Sequence, residues 1–290
     1  MRPLITDSGG FQVFSLAAAA ESDGRELKKR NARQGTSGLL LSTKEKGVVF
    51  RSYFDSSSIE LTPESSVRVQ KALGADIIIP LDELPGQYVS RERLVDSVAL
   101  SHRWMARSLK THLSDPRGQA MYGVLHGGCD RELRAQSAAF LSHLPFDGYA
   151  VGGSLGRDHD DMVELLEYVV PLLADRKRPR HLLGIGDERG VRAAAALGFD
   201  TMDSCYPTRI ARHGTLLTRE GKLHITSAKH ARDYGPIDPS LPTIDASRAY
   251  MHHLAKMREP LFITLSAIHN LRYMTALMQE LREQIRKDEL

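Results

Sequence analysis

Cysteine is nearly absent: Cys129 and Cys205 are the only two in 290 residues, and they lie far apart in the chain. That excludes a disulfide framework and points to a reducing compartment. Long apolar runs are also lacking. None reaches the roughly 20 residues needed to cross a bilayer, so no membrane is expected among the partners. The stretch from Phe11 to Ala20 has the outline of a signal h-region, but Asp7 and the Gly9-Gly10 pair ahead of it argue against export. The last four residues, Lys287-Asp288-Glu289-Leu290, spell an ER-retention signal. With no entry signal it has no reader, and a cytoplasmic location is expected. An excess of one charge is missing as well: 39 basic and 36 acidic residues leave a formal net charge of +3. Such a balance is compatible with a nucleic-acid partner without requiring one.

What is present is an ordinary globular mix, 41% hydrophobic and 26% charged, in a chain long enough for one large α/β domain or two small ones. Pro3 to Thr6 reads as a short strand leaving into Asp7-Ser8-Gly9-Gly10-Phe11-Gln12, where the glycines allow close backbone approach to a ligand. Gly24 to Lys46 is polar and basic and reads as a surface insertion. Val48 to Phe54 and Ser58 to Leu61 read as a hairpin pair. Thr62-Pro63 then opens a helix that closes before Gly74.

From there strands and helices alternate. Strands are expected at Asp76 to Leu81, Met121 to Leu125, Gly148 to Val151, His181 to Ile185 and just before Asp203. Helices are expected at Arg91 to Leu113, Arg131 to Leu144, Asp160 to Leu173 and Arg189 to Leu197. This alternation indicates a parallel sheet with helical crossovers. Each strand exit carries Gly or Asp, namely Asp7, Asp82, Gly127, Gly153, Gly186 and Asp203, and in a barrel or open sheet such exits share one face. Asp203 by itself allows two readings: a catalytic carboxylate, or a cap for the helix that follows. A hairpin from Leu216 to Ile225, a proline-punctuated loop from Gly235 to Asp245, and helices near Ser247 to Lys256 and Pro260 to Lys287 complete the chain.

Several segments, in order, resemble the tRNA-guanine transglycosylases (queuine tRNA-ribosyltransferases): ITDSGGFQ at Ile5 to Gln12, LDE at Leu81 to Glu83, FDGYAVGG at Phe146 to Gly153, LLGIG at Leu182 to Gly186, PTRIARHG at Pro207 to Gly214, SRAYMHHL at Ser247 to Leu254 and IHN at Ile268 to Asn270. The resemblance implies a (β/α) TIM-type barrel in residues 1–214 and a subdomain of hairpin, loop and terminal helices in residues 215–290, together one transglycosylase domain. It implies exchange of guanine at the tRNA wobble position for a 7-deazaguanine base. Asp203 falls at the nucleophile position and Asp7 at that of the second acid. Ser8, Gly9, Gly10, Phe11, Asp82, His126, Gly153 and Leu183 fall at base-binding positions. Within that set Asp82 accepts from the base, Gly153 offers a backbone N–H to its O6, and Phe11 and Leu183 sandwich it. Gly184, Ile185, Gly186, Asp187, Glu188, Arg189 and Gly190, with Thr208, Arg209, Ile210, Ala211 and Arg212, fall in RNA-contact stretches. The partners implied are a tRNA with a wobble guanine, a 7-deazaguanine base, and a homodimer mate or other partner chain.

The chain departs from the pattern in three places. The family's structural zinc is held by three cysteines and a histidine; here His269 matches the histidine, while Pro236 to Ala246 holds no cysteine, so no zinc and no cofactor are expected. The chain starts at what should be the third barrel strand, an expectation of a barrel without its first two strands. His126 replaces a usual glutamine, and Ser154-Leu155-Gly156-Arg157 replaces a run ending in a carboxylate. Gly156 is expected to leave extra room, favouring queuine over its smaller aminomethyl precursor. An alternative to the enzyme is a non-catalytic RNA-binding subunit or a truncated remnant.

Overall fold

The computed structural model describes residues 3–14, 40–52, 54–86, 89–173, 175 and 177–290. The Phe11 to Ala20 stretch beyond Phe14, and the part of the expected insertion before Leu40, lie outside them. By internal contacts the chain forms two units, residues 1–181 and 182–290.

The first unit is built on parallel strands. β1 (Ile5–Thr6) is followed by a three-stranded antiparallel sheet of β2 (Leu40–Lys44), β3 (Gly47–Arg51) and β4 (Ser58–Leu61). Then come α1 (Pro63–Leu73), β5 (Ile77–Ile78), α2 (Arg91–Ser114), β6 (Ala120–Leu125), α3 (Arg131–Ser142), β7 (Gly148–Val151), α4 (His159–Val169) and β8 (Arg180–Leu182). The main sheet runs β1-β5-β6-β7-β8, with β1 and β5, β5 and β6, and β6 and β7 paired in parallel. The α/β class and the strand–helix alternation of a TIM-type barrel are therefore present.

Local sequence explains the helices. Thr62 and Ser65 form a capping box at the start of α1, and Gly74 closes it in the left-handed region at φ 72°. Ser90, Asp130 and Asp158 each cap the next helix with a side-chain oxygen, satisfying amides that have no helical partner.

Two expectations change. Leu40–Lys44, read as part of a basic insertion, is a strand, because Leu40 packs on the cluster of Val13, Phe14, Val48, Leu81 and Trp104. The apolar run Asp76 to Leu81 pairs as a strand only at Ile77–Ile78. The Gln70 amide of α1 then takes over: its Oε1 accepts from Ile79 N at 3.0 Å and its Nε2 donates to Ile79 O at 2.8 Å. A side chain thus replaces the sheet partner and releases Leu81-Asp82 from the ladder.

The second unit holds the end of β8, α5 (Glu188–Ala196), β9 (Thr201–Met202), α6 (Tyr206–Arg212), the hairpin β10 (Thr215–Thr218) and β11 (Gly221–His224), α7 (Arg248–Met257) and α8 (Pro260–Arg286). Leu216, Ile225, Ile237, Met251, Leu254 and Phe262 form its core beneath the hairpin. Among the described residues no helix is long and apolar enough to cross a membrane.

Trp104 is fully buried at the centre of the first unit's cluster, and its indole N–H donates to Glu45 O at 2.9 Å. Trp104→Ala should lower the unfolding free energy by ~3–5 kcal/mol, the usual cost of emptying an aromatic site. Urea denaturation would measure it, and a loss below ~1 kcal/mol would mean the cluster does not pack as described.

Candidate active site

In the first unit the exits of β1 and β6 meet a buried carboxylate that follows β5, Asp82, which is only 4% exposed. Gly10 lies against it. A Cβ on Gly10 would stand 2.9 Å from Asp82 O and 3.1 Å from its Oδ1, so any side chain there would displace the acid. The β1 exit is itself tied down. Asp7 Oδ1 accepts from Ser8 N at 2.7 Å, Ser8 Oγ accepts from Gly10 N at 3.2 Å, and Ser8 O accepts from Ser66 Oγ at 2.9 Å. Gly9 turns the chain at φ 86°. Phe11 follows and is 58% exposed.

Asp82 is held from behind by its neighbour. Glu83 is buried, its carboxylate is gripped by both terminal nitrogens of Arg93, and its backbone is bonded to Ser97 and Ser101 of α2. His126, at the β6 exit, brings Nε2 to 3.3 Å from Asp82 Oδ2, with both side chains buried. His126 N donates to Ser137 Oγ at 3.0 Å, and the same hydroxyl lies 2.9 Å from His102 Nε2. Burial, together with the nearby His126, pulls the pKa of His102 down to about 4, so that ring is neutral at physiological pH. Gly153 at the β7 exit is exposed, has φ 74°, and its Cβ position faces Leu84 at 3.9 Å. Ser8, Gly10, Asp82, His126 and Gly153 therefore all lie on strand exits, with Asp7 and Phe11 exposed at the exit of β1.

Gly156 has a different role from the one expected. A Cβ there would meet Asp161 Cβ at 2.4 Å, and Arg157 pairs with Asp161 at 2.9 Å. The glycine accommodates the start of α4, so it adds no pocket space. The room expected at Gly156 is therefore absent, and the missing carboxylate is the ground left for the expected base preference.

In the second unit Asp203 leaves β9 exposed, and its Oδ1 accepts from Gly184 N at 3.1 Å. It does not cap the following helix: the N-cap of α6 is Cys205, which makes no side-chain capping bond. Of the two readings open for Asp203, the capping one is removed. Gly184 takes φ 81°, with Leu183 half-buried ahead of it. Gly186 permits the approach of Ser204, whose Cβ would lie 2.4 Å from an added methyl.

The RNA-contact stretches divide by exposure. Asp187 caps α5 by accepting from Gly190 N at 3.0 Å, and Glu188 is occupied by Tyr273 OH at 2.5 Å and by Arg192 at 2.9 Å. Gly190 packs against Ile185, and Ala211 is buried, so these positions offer backbone at most. Arg189 and Arg212 are exposed, while Thr208, Arg209 and Ile210 are half-buried on α6. Asn270 anchors that helix: its amide donates to Pro207 O at 2.9 Å and Thr215 O at 3.0 Å, and its oxygen accepts from Leu217 N at 2.9 Å.

His269 is fully buried and both ring nitrogens are engaged. Nε2 donates to Leu217 O at 2.7 Å, so Nδ1 is the unprotonated nitrogen and accepts from Thr243 Oγ1. No cluster of three or more His, Cys, Asp or Glu with metal-holding geometry occurs among the described residues. A lone histidine with no spare nitrogen does not fit a tetrahedral zinc site.

Sequence reasoning missed Arg134. It lies on the inward face of α3 in line with Ser137, Ala138 and Leu141. A charge at a core position of an amphipathic pattern was the available signal.

The chain matches the model of the family described as queuine tRNA-ribosyltransferase over residues 1–290. The queuine tRNA-ribosyltransferase of Protochlamydia amoebophila (strain UWE25) is 51% identical over 289 residues, an alignment covering 99% of this chain and 74% of that protein. Those of Chlamydia caviae and Chlamydia abortus are 44% and 46% identical, each alignment covering 99% of this chain and 77% of the relative. By the whole-length match and these identities, the chain belongs to the queuine tRNA-ribosyltransferase family.

Proposed function

We propose that this chain is a tRNA-guanine transglycosylase that exchanges the wobble guanine of tRNA for a 7-deazaguanine base by double displacement. The observation that carries the mechanism is the Asp203 carboxylate, presented at a strand exit by Gly184 N–H, with Cys205 at the N-cap of the helix that follows. In the first step an Asp203 oxygen attacks ribose C1′ as the glycosidic bond breaks, and the bond's electron pair leaves on N9 of guanine. Positive charge building on the ribose is captured by the carboxylate as an ester. In the second step N9 of the incoming base attacks C1′ and restores free Asp203. Asp7 carries the proton traffic of the two bases. Asp82 accepts from the base N1–H and 2-amino group, and its burial strengthens those charge-assisted bonds.

Exposed Arg189 and Arg212 supply phosphate and base contacts for the RNA. We further propose that the protein works without zinc. The proline-rich segment is held to α8 by Thr243 on His269 and by Arg272 donating to Thr243 O, bonds that secure the loop without metal. A cytoplasmic location fits the substrate, and a homodimer or partner chain would extend the RNA surface.

Two experiments test these roles. Incubated with a guanine-34 tRNA and a competing 7-deazaguanine, the wild-type chain should give a covalent RNA–protein adduct on denaturing gels, and Asp203→Ala should give none. A wild-type chain that is folded yet forms no adduct would favour the non-catalytic subunit. Asp82→Asn should raise KM for guanine ~10–100-fold, as loss of hydrogen bonds to a charged acceptor predicts, with less effect on hypoxanthine, which lacks the 2-amino group. Equal effects on the two bases would remove Asp82 from base recognition.

A further inference from the structure

Arg134 of α3 has no solvent exposure, and among the described residues its guanidinium donates only to backbone carbonyls. Nε reaches Gly128 O at 2.7 Å and Nη1 reaches Leu125 O at 2.6 Å, both at the β6 exit. Nη2 reaches Gly152 O at 2.9 Å and Ser154 O at 3.0 Å, on either side of Gly153 at the β7 exit. Burial lowers the pKa of the group to about 10, which still leaves it charged at neutral pH. A buried cation without a carboxylate partner is costly unless its donors are used, and here four peptide carbonyls take the charge.

Among the described residues the peptide bonds are all trans. In a trans peptide the N–H points opposite to the C=O, so anchoring Gly152 O on Arg134 turns the Gly153 N–H away from the helix. That N–H has no partner among the described residues, and Gly153 is exposed. Drawing electron density from Gly152 O also makes the amide hydrogen of the same peptide a stronger donor. Gly127 locks the other loop onto the same helix, since a Cβ there would stand 2.6 Å from Arg134 N.

We propose that Arg134 is a positioning residue of the base pocket, aiming and polarising the Gly153 N–H as the donor to the six-position oxygen of bound guanine. It rests on the reading of Gly153 as a base-binding residue and acts through that peptide without touching the base. A lysine cannot replace it, because one ammonium cannot match a planar fork spread over four carbonyls.

The test uses guanine and 6-thioguanine as competing bases in tRNA base exchange by the whole chain. Sulfur is the weaker acceptor, and the N1–H and 2-amino group are kept. Arg134→Lys should raise the KM for guanine ~10-fold, as weakening one charge-polarised hydrogen bond predicts, with a smaller change in kcat and little change for 6-thioguanine. Parallel loss for both bases, the mark of a merely structural role, or no loss at all would overturn the proposal. Should the variant fail to fold, hydrogen exchange on the wild-type chain decides. The Gly153 amide should gain protection with guanine and much less with 6-thioguanine, and equal or absent protection would overturn it. A wild-type chain that binds guanine with this protection but exchanges no base would refute the transglycosylase reading and leave the Arg134 assignment standing.

Discussion

A guanidinium removed from water must find an acceptor for its N–H groups, and that requirement organises the first unit. Arg134 meets it with carbonyls from two successive strand exits, so neither loop can move without exposing an unpaired buried charge. The same desolvation that makes the arrangement costly makes it rigid. Asp82 is buried beside His126, and its neighbour Glu83 has its own charge met by Arg93. Acid and donor are thus fixed in advance, the condition under which electrostatic recognition needs little reorganisation when a ligand arrives.

The second unit reaches rigidity by a different route. Glu188, Arg192, Glu280 and Arg219 form a chain of ion pairs, with Tyr273 closing on Glu188. Burial and the Glu188 carboxylate together raise the pKa of that tyrosine, so its hydroxyl stays a donor. Asn270 adds the other brace, joining α8 to the start of α6 and to β10. Helix α6 is short and lacks a side-chain cap, and it owes its position to α8 more than to its own sequence. His269 serves here as a hydrogen-bonded core residue, joining α8 to Leu217 and Thr243.

Much of this was legible beforehand. The cap at Thr62 was read from the sequence, those at Ser90, Asp130 and Asp158 came from the structure, and the helix starts were read almost to the residue. The ordered motifs implied the family, and the whole-length match bears that out. The exit residues Asp7, Asp82, Gly153 and Asp203 were read as strand exits from their positions after apolar runs. What could not be read depended on partners distant in sequence. The Gln70 amide that ends β5, the packing that makes Leu40–Lys44 a strand, and the approach of Asp161 that requires Gly156 have no local signature.

The sequence by itself determined the alternation of strands and helices, the placement of acids and glycines at strand ends, and the absence of a cysteine set for zinc, because each is a property of neighbouring residues or of side-chain chemistry. Tertiary structure alone decided that Asp203 bonds to Gly184, that Glu188 pairs with Tyr273 and Arg192, and that Arg134 ties two loops together. The reason is physical. Which acceptor a buried donor finds depends on which loops fold over it, and hydrogen-bond partners separated by 18 or 19 residues leave no periodic trace in the chain.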